Sequence, residues 1–395
     1  MRKLYIFAAA ICLALAAVSC GKENADEKSS GIDWSHSPRG TWQKDNLLTA
    51  RGKVDTLDFT PELIGSKPVP KEALEAMQGR SVHLVYYIPK LSGVEDMPIL
   101  IVMHGSERVG NIYAVFKAFA DRYGFIVVVP EFMKDAGNLP NVAAHRRHLY
   151  DNKYWDDNDY WYGGVSTAKL SGSIRKRNRW VFNVIELIFD YVRAELDNTS
   201  EGFYMYGHSA GAQFTARMVT AFTESRIIKA VAANPGSWAW PAVDGVIKNL
   251  DTDEICNTYH NGTRTSTCGW PYTVKEIYSK ESQLAAAFSR KLYLQIGTDD
   301  TENLDIDRNV QANAQGATRL FRARNYDATC RAIAERNHMD YNFELREVEG
   351  ATHGDASAMV YGRADYFWSG VSFDDLGPNA AFRLLFEGVL TQRKK

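Results

Sequence analysis

The pentapeptide Gly207-His208-Ser209-Ala210-Gly211 constrains what this chain can fold into more than any other stretch, because of what flanks it. The apolar run Phe203-Tyr204-Met205-Tyr206 before it reads as a strand, and the segment from Ala210 to Phe222 sets Phe214, Met218, Val219 and Phe222 at helical spacing. A strand that becomes a helix within so few residues must bend sharply. Glycines on both flanks of the serine allow this, since side chains there collide with the neighbouring strand and helix. Such a bend leaves the Ser209 hydroxyl exposed on a strained corner with a helix N-terminus behind it, which is how a serine nucleophile is presented.

Further pieces follow in chain order. Lys291 to Ile296 reads as a strand running into Gly297-Thr298-Asp299-Asp300-Thr301, a loop that offers an acid. Tyr341 to Val348 alternates like a strand, its core strand over Phe343 to Val348, and ends in Glu349-Gly350-Ala351-Thr352-His353-Gly354, a tight turn that offers a base. Upstream, the apolar strand Ile99 to Met103 delivers His104-Gly105-Ser106. Nucleophile, acid and histidine in this order, each after a strand, resemble the α/β-hydrolase superfamily from about Arg80 to the C-terminus. Within it, the His-Gly start after the first core strand, the Asn234-Pro-Gly-Ser-Trp238 turn and the Gly297-x-x-Asp300-Thr301 loop resemble secreted ester hydrolases related to polyhydroxybutyrate depolymerases and feruloyl esterases. Ser106 stands where many relatives carry glycine or cysteine.

The resemblance implies an α/β fold with a mostly parallel central sheet and helices on both faces. It also implies catalytic roles for Ser209 as nucleophile, His353 as base and Asp300 as the acid that orients it. Asp300 is preferred to Asp299 because the acid of related hydrolases stands three residues after the strand-ending glycine, here Gly297, and consecutive side chains on extended backbone point opposite ways. Backbone N–H groups of Ser106 and Ala210 are the expected oxyanion hole. His104, Trp155, Trp161 and Trp238 are the expected substrate contacts, and neither a cofactor nor a metal is required. The expected reaction is hydrolysis of carboxylic esters, polymer-derived, sugar-linked or hydroxyalkanoate. The alternatives are a serine peptidase resembling the prolyl-oligopeptidase type and a non-catalytic surface binding lipoprotein.

A chain of 395 residues with 45% hydrophobic content buries a large core. Its 46 basic and 48 acidic side chains give no electrostatic case for nucleic acid as a partner. Met1-Arg2-Lys3 followed by the apolar run Leu4 to Val18 reads as an export signal. The signal ends in Ala17-Val18-Ser19-Cys20, which resembles the lipobox of bacterial lipoproteins. That resemblance implies a lipid on Cys20 and an outer-membrane anchor, on the periplasmic or the cell-surface face. The expected organisation is a signal peptide over 1–19, a polar tether over 20–31, an N-terminal extension packed on the domain over 32–79 and the hydrolase domain over 80–395. In an oxidising compartment Cys256 and Cys268, which flank a turn-rich loop, are the natural disulfide pair, and Cys330 reads as a small buried hydrophobe.

The remaining core strands are Phe125 to Val129 and Ile227 to Ala233, with Ser81 to Ile88 alternating as an edge strand. Helices fall over Asn111 to Tyr123, over Trp180 to Leu196, and from near Pro378 to about Leu390. The segment 132–174 is long and irregular, and it mixes Tyr150, Tyr154, Trp155, Tyr160, Trp161 and Tyr162 with Asp151, Asp156, Asp157 and Asp159. It reads as an insertion that walls the serine and suits a sugar or phenolic ring by stacking and hydrogen bonding. The anchor is testable by fractionation: Cys20→Ala releases the protein in soluble or uncleaved form, whereas wild-type protein found wholly in the detergent-free soluble fraction contradicts the lipid.

Overall fold

The computed structural model describes residues 32–34, 42–134, 154–170, 172–250, 252–260, 263–302 and 305–391. The strands are β1 (Val54–Phe59), β2 (Val82–Tyr87), β3 (Ile99–Met103), β4 (Ile126–Glu131), β5 (Phe203–His208), β6 (Ile227–Ala233), β7 (Thr258–His260), β8 (Thr263–Thr265), β9 (Leu292–Gly297) and β10 (Phe343–Val348). The α-helices are α1 (Pro61–Gly65), α2 (Ala114–Tyr123), α3 (Asp157–Trp161), α4 (Phe182–Glu195), α5 (Ala210–Ala221), α6 (Ala285–Phe288), α7 (Val310–Asn313), α8 (Arg319–Arg336), α9 (Ala356–Tyr361) and α10 (Ala381–Phe386).

Eight strands form one sheet in the order β1-β2-β4-β3-β5-β6-β9-β10, and β7 pairs with β8 apart from it. The pairs β1–β2 and β2–β4 are antiparallel, and every pair from β4 to β10 is parallel. Parallel strands sandwiched between helices are buried on both faces, so their residues sort by parity rather than by polarity. Ile99, Ile101, Met103 and Met205 join a core with α4, α5 and α8, while Leu100, Val102, Tyr204 and Tyr206 join the opposite core with α2, α9 and α10. The register sets Met103 opposite Gly207, His208 opposite Ala233 and Gly297 opposite Val348, so the loops after β3, β5, β6, β9 and β10 leave one edge of the sheet together.

Strands β3, β6 and β10 have the bounds expected from sequence. The lead over 32–79 does not: it contributes β1, which takes the sheet edge and moves β2 one place inward. It also covers the outer face of α4. Trp34 Nε1 donates to Asn183 Oδ1 at 3.2 Å, Phe59 meets the edge of Tyr191 with ring centroids 5.6 Å apart, and Glu195 accepts the N–H groups of Asp45 and Leu47. This coverage is why α4 is buried almost all round rather than along one stripe. The last helix is shorter than expected, because Glu387 leaves the helical region and Gly388 takes φ 77°, closing a turn from Val389 N–H to Phe386 O at 2.9 Å.

The expected disulfide is absent from this structure. Cys256 and Cys268 are free thiols with sulfurs 3.7 Å apart, far beyond the ~2.05 Å of an S–S bond. Backbone bonds from Cys256 N–H to Ile247 O and from Cys268 N–H to Gly245 O bring the two together, and the Cys268 thiol donates to Cys256. Cys330 is buried on α8, as a small hydrophobe would be. No helix among the described residues is long and apolar enough to cross a membrane.

Under the sheet, Glu186 and Asp190 on α4 are buried, and Arg226 answers both: its Nε lies 2.7 Å from Glu186 Oε2 and its Nη1 2.7 Å from Asp190 Oδ1. Removing the cation strands the buried Glu186, while Asp190 keeps Arg193, so Arg226→Met is expected to lower unfolding free energy by ~3–5 kcal/mol in urea titrations. The exposed pair Arg324–Glu347 is the control, and Arg324→Met is expected to cost under ~1 kcal/mol.

Candidate active site

The chain leaves β5 at His208 and enters α5 at Ala210, and Ser209 between them holds φ 55° and ψ −113°. A residue with a Cβ is strained there, and the surroundings keep it so. Ser209 N–H donates to Ala233 O at 2.9 Å, and Gln213 N–H donates to Ser209 O at 3.1 Å. The glycines sit where nothing larger fits: a Cβ on Gly207 meets the Gly211 carbonyl and the Thr215 hydroxyl, and one on Gly211 meets the carbonyls of Met103 and His104.

His353 comes from the turn after β10. Gly350 takes φ 71° and donates its N–H to Thr298 Oγ1 at 2.9 Å, tying that turn to the loop after β9. Asn234, itself at φ 56°, accepts Gly297 N–H at 2.9 Å and donates Nδ2–H to Thr352 O at 3.4 Å. So braced, His353 Nε2 stands 3.0 Å from Ser209 Oγ, and Nδ1 stands 2.9 Å from Asp300 Oδ2. With the Nδ1 proton given to the carboxylate, Nε2 faces the hydroxyl with its lone pair. Asp300 is buried at 1% exposure, whereas Asp299 is exposed, its N–H donating to Ala351 O and its carboxylate accepting from the Thr298 hydroxyl. The second oxygen of Asp300 accepts Arg319 Nη1–H at 3.0 Å, so the buried carboxylate has a buried counter-charge at the head of α8.

The other histidine of the elbow, His208, lies with its ring 5.5 Å from that of His353 at an interplanar angle of 29°. Burial, with the neighbouring His353 charge adding, pushes its pKa down to about 3, so it is neutral and supports the His353 ring.

The loop after β3 lies against the serine: a Cβ on Gly105 would be 4.0 Å from Ser209 Cβ. Arg108 N–H closes the turn onto Gly105 O at 3.1 Å, with Ser106 at its exposed corner, and Ala210 opens α5. Tyr160 OH donates to His104 O at 2.5 Å and its ring stacks 4.5 Å from the His104 ring. Phe132 N–H donates to His104 Nε2 at 3.2 Å, which puts the ring proton on Nδ1, facing Gly105 O at 2.9 Å. Burial pushes the His104 pKa down to about 3.

These contacts correct part of the substrate-contact expectation. His104 braces the loop with a fully used ring. Trp155 is buried, donating Nε1–H to Ser81 O at 2.9 Å and meeting the edge of Phe132. Trp238 is buried flat on Tyr326 at 4.6 Å. Of the four, only Trp161 is half-buried rather than enclosed. The acids of the 132–174 segment are structural as well. Asp156 caps α3 through Asp159 N–H, and Asp159 joins Arg80 and Arg175. Asp157 pairs with Arg108, whose guanidinium also bonds Phe132 O and Trp155 O. Tyr150 and Asp151 lie outside the described residues.

Residues that sequence patterns did not reveal are Arg319 and Arg108, which reach their places through long-range packing, and Tyr160, expected in the wall of the serine, instead braces the loop after β3. Asn234 had a signal, the Asn-Pro-Gly turn after an apolar strand.

The sheet order, the elbow and the three converging loops define the α/β-hydrolase fold. Among solved structures, the chain is similar to a poly(aspartic acid) hydrolase-1 from Sphingomonas sp. KT-1, with TM-score 0.58 and 24% identity over 78% of this chain and 96% of that one. It is also similar to LpqC, a poly(3-hydroxybutyrate) depolymerase from Bordetella parapertussis, with TM-score 0.60 and 22% identity over 84% of this chain and 94% of that one. No protein-family model and no curated protein sequence matches the chain.

The neutral histidines carry a stability consequence. Both have folded pKa values near 3, below the ~6.5 of an unfolded chain, so unfolding takes up protons between those limits. Their contribution is complete above ~6.5 and is lost as pH falls toward 3, at up to ~1.4 kcal/mol per pH unit for each ring. Urea unfolding at pH 7.5, 6 and 5 is expected to show this slope, and His208→Gln is expected to make it shallower by one ring's share. An unchanged slope in that variant refutes the assignment.

Proposed function

We propose that the chain is a serine-dependent carboxylic ester hydrolase. The observation that carries this reading is the line of contacts Ser209 Oγ to His353 Nε2 at 3.0 Å and His353 Nδ1 to Asp300 Oδ2 at 2.9 Å, on an elbow held at φ 55°. In the proposed reaction, His353 takes the Ser209 proton as Oγ attacks the ester carbonyl. The carbonyl oxygen becomes an oxyanion in front of the Ala210 N–H and the N–H groups of the 105–106 turn. Donors so placed contribute ~10²–10³ in rate, because they are already oriented when charge develops. His353 then delivers its proton to the leaving alcohol. Water repeats the sequence on the acyl-enzyme and releases the acid. Asp300 holds the imidazole in the attacking tautomer and balances its charge, and Arg319 fixes Asp300 from behind.

The fold neighbours include proteins named as a depolymerase and as a poly(aspartic acid) hydrolase. Such company agrees with a polymer-derived or oligomeric ester and keeps amide cleavage as the second reading, tested by running dipeptide amides beside aryl, feruloyl and hydroxyalkanoate esters. A binding lipoprotein without chemistry is the third, and absence of fluorophosphonate labelling at Ser209 would favour it. We place the mature protein, by its Cys20 lipid, at the outer membrane.

Ser209→Ala and His353→Ala are each expected to lower turnover of p-nitrophenyl esters by ~10⁴ or more with folding intact, since the groups act as one unit. Asp300→Asn is expected to cost up to ~10⁴ by leaving the wrong tautomer, while Asp299→Asn costs little. Equal losses at the two aspartates would overturn the assignment of the acid.

A further inference from the structure

A charged cluster stands one helical turn beyond the nucleophile, and the serine chemistry does not use it. Gln213, whose N–H bonds Ser209 O, accepts the Ser237 hydroxyl at 2.7 Å, and Ser237 Oγ is 3.4 Å from Asp307 Oδ2. Tyr272 OH donates to the same Asp307 oxygen at 2.6 Å, and Lys169 Nζ lies 3.5 Å from it. The ammonium is positioned over the rings of Tyr162 and Tyr272, 5.1 and 5.3 Å from their centroids. The loops after α3, β6 and β9 meet here, on the edge of the sheet from which Ser209 and His353 emerge.

Charge in this cluster does not balance among the described residues. Arg217, fully buried on α5, bonds Pro271 O, Gln213 O and the carbonyl and hydroxyl of Ser237, all neutral. Arg322, also buried, bonds the carbonyls of Gly316, Gly236 and Asp307 and the side chain of Asn313, again neutral. Among the described residues, Asp307 is thus the one carboxylate near Lys169, Arg217 and Arg322, and of the three only Lys169 is within ion-pair reach of it. The next acid, Asp157, is already held by Arg108 and Lys134. Uncompensated cations in a half-dry site are costly, and an incoming anion removes that cost. Burial draws the Lys169 pKa below its ordinary value, in keeping with a shortage of negative charge around it. Lys169 is the one of the three that solvent reaches, its side chain 31% exposed against a fully buried Arg217 and Arg322. A single reachable ammonium suits a singly charged carboxylate, whereas a phosphate dianion draws on several donors or a guanidinium fork.

We propose that this cluster is a substrate subsite for a carboxylate carried on the same molecule as the scissile ester, with Lys169 as the specificity-determining contact. The inference rests on the ester-hydrolase reading and narrows its substrate class to esters of acidic or carboxylate-ended chains. The carboxylate docks on the solvent-reached side of the Lys169 ammonium, whose other side rests on the buried Tyr162 and Tyr272 rings, while the ester extends to Ser209.

The test compares substrates matched except for the charge. On the acyl side, mono-p-nitrophenyl glutarate is set against p-nitrophenyl valerate; on the alcohol side, the acetate ester of 4-hydroxybutyrate is set against that of its amide. Wild-type protein is expected to prefer the carboxylate member of at least one pair by about tenfold or more in kcat/KM, through KM, as one charge-assisted hydrogen bond allows. Lys169→Gln is expected to remove that preference and Lys169→Arg to retain much of it. Lys117→Gln on α2, a surface lysine, leaves the ratio unchanged and controls for general charge steering. No preference in either pair, or a preference that survives Lys169→Gln, overturns the proposal while turnover of the neutral esters leaves the hydrolase reading standing. Absence of all ester turnover together with absence of fluorophosphonate labelling overturns both.

Discussion

The site depends on one backbone corner. Ser209 is held at φ 55° because its backbone is fixed by β3, β5, β6 and α5, with the Met103 and His104 carbonyls against Gly211 and the Ala233 carbonyl taking the Ser209 N–H. The strain is stored where the chemistry is proposed to occur and is offset by sheet pairing and core packing elsewhere. A relaxed corner would swing Oγ away from His353, and a separation of 3.0 Å leaves little room for that.

Around that corner, rigidity comes from buried polar groups bonded in chains. Thr298, Asn234 and Gly350 knit the loops after β6, β9 and β10 into one unit, which fixes Asp300 and His353 relative to each other. Tyr160, His104 and Arg108 do the same for the loop after β3 and fasten it to α3. Inside a protein, where the effective dielectric is low, such fully bonded networks specify a single arrangement. The aromatic segment around α3 serves this clamp. Trp155 and Tyr160 are fully buried and pack beneath the loop after β3.

Much of the fold was legible because a parallel strand buried on both faces, such as β3, is written as an unbroken apolar run, while the edge strand β10 is legible by its alternation. β1 escaped notice because it alternates with acids and threonine on a solvent-facing edge, where pattern is weakest. The all-round burial of α4 was hidden for another reason: its outer face is covered by a segment more than a hundred residues earlier in the chain.

Sequence by itself determined the order of Ser209, Asp300 and His353, since each follows the end of a strand and the turn chemistry of Gly207, Gly211, Gly297 and Gly350 is local. It also favoured Asp300 over Asp299 by spacing, and the structure sets Asp300 facing His353 and Asp299 facing solvent. Only the tertiary structure decided which tryptophans are core, that Arg319 backs Asp300, and that Lys169, Arg217, Arg322 and Asp307 come together in one cluster. These are contacts between residues far apart in the chain. Their partners are chosen by how helices and loops close over the sheet, and no local pattern of residue types records that choice.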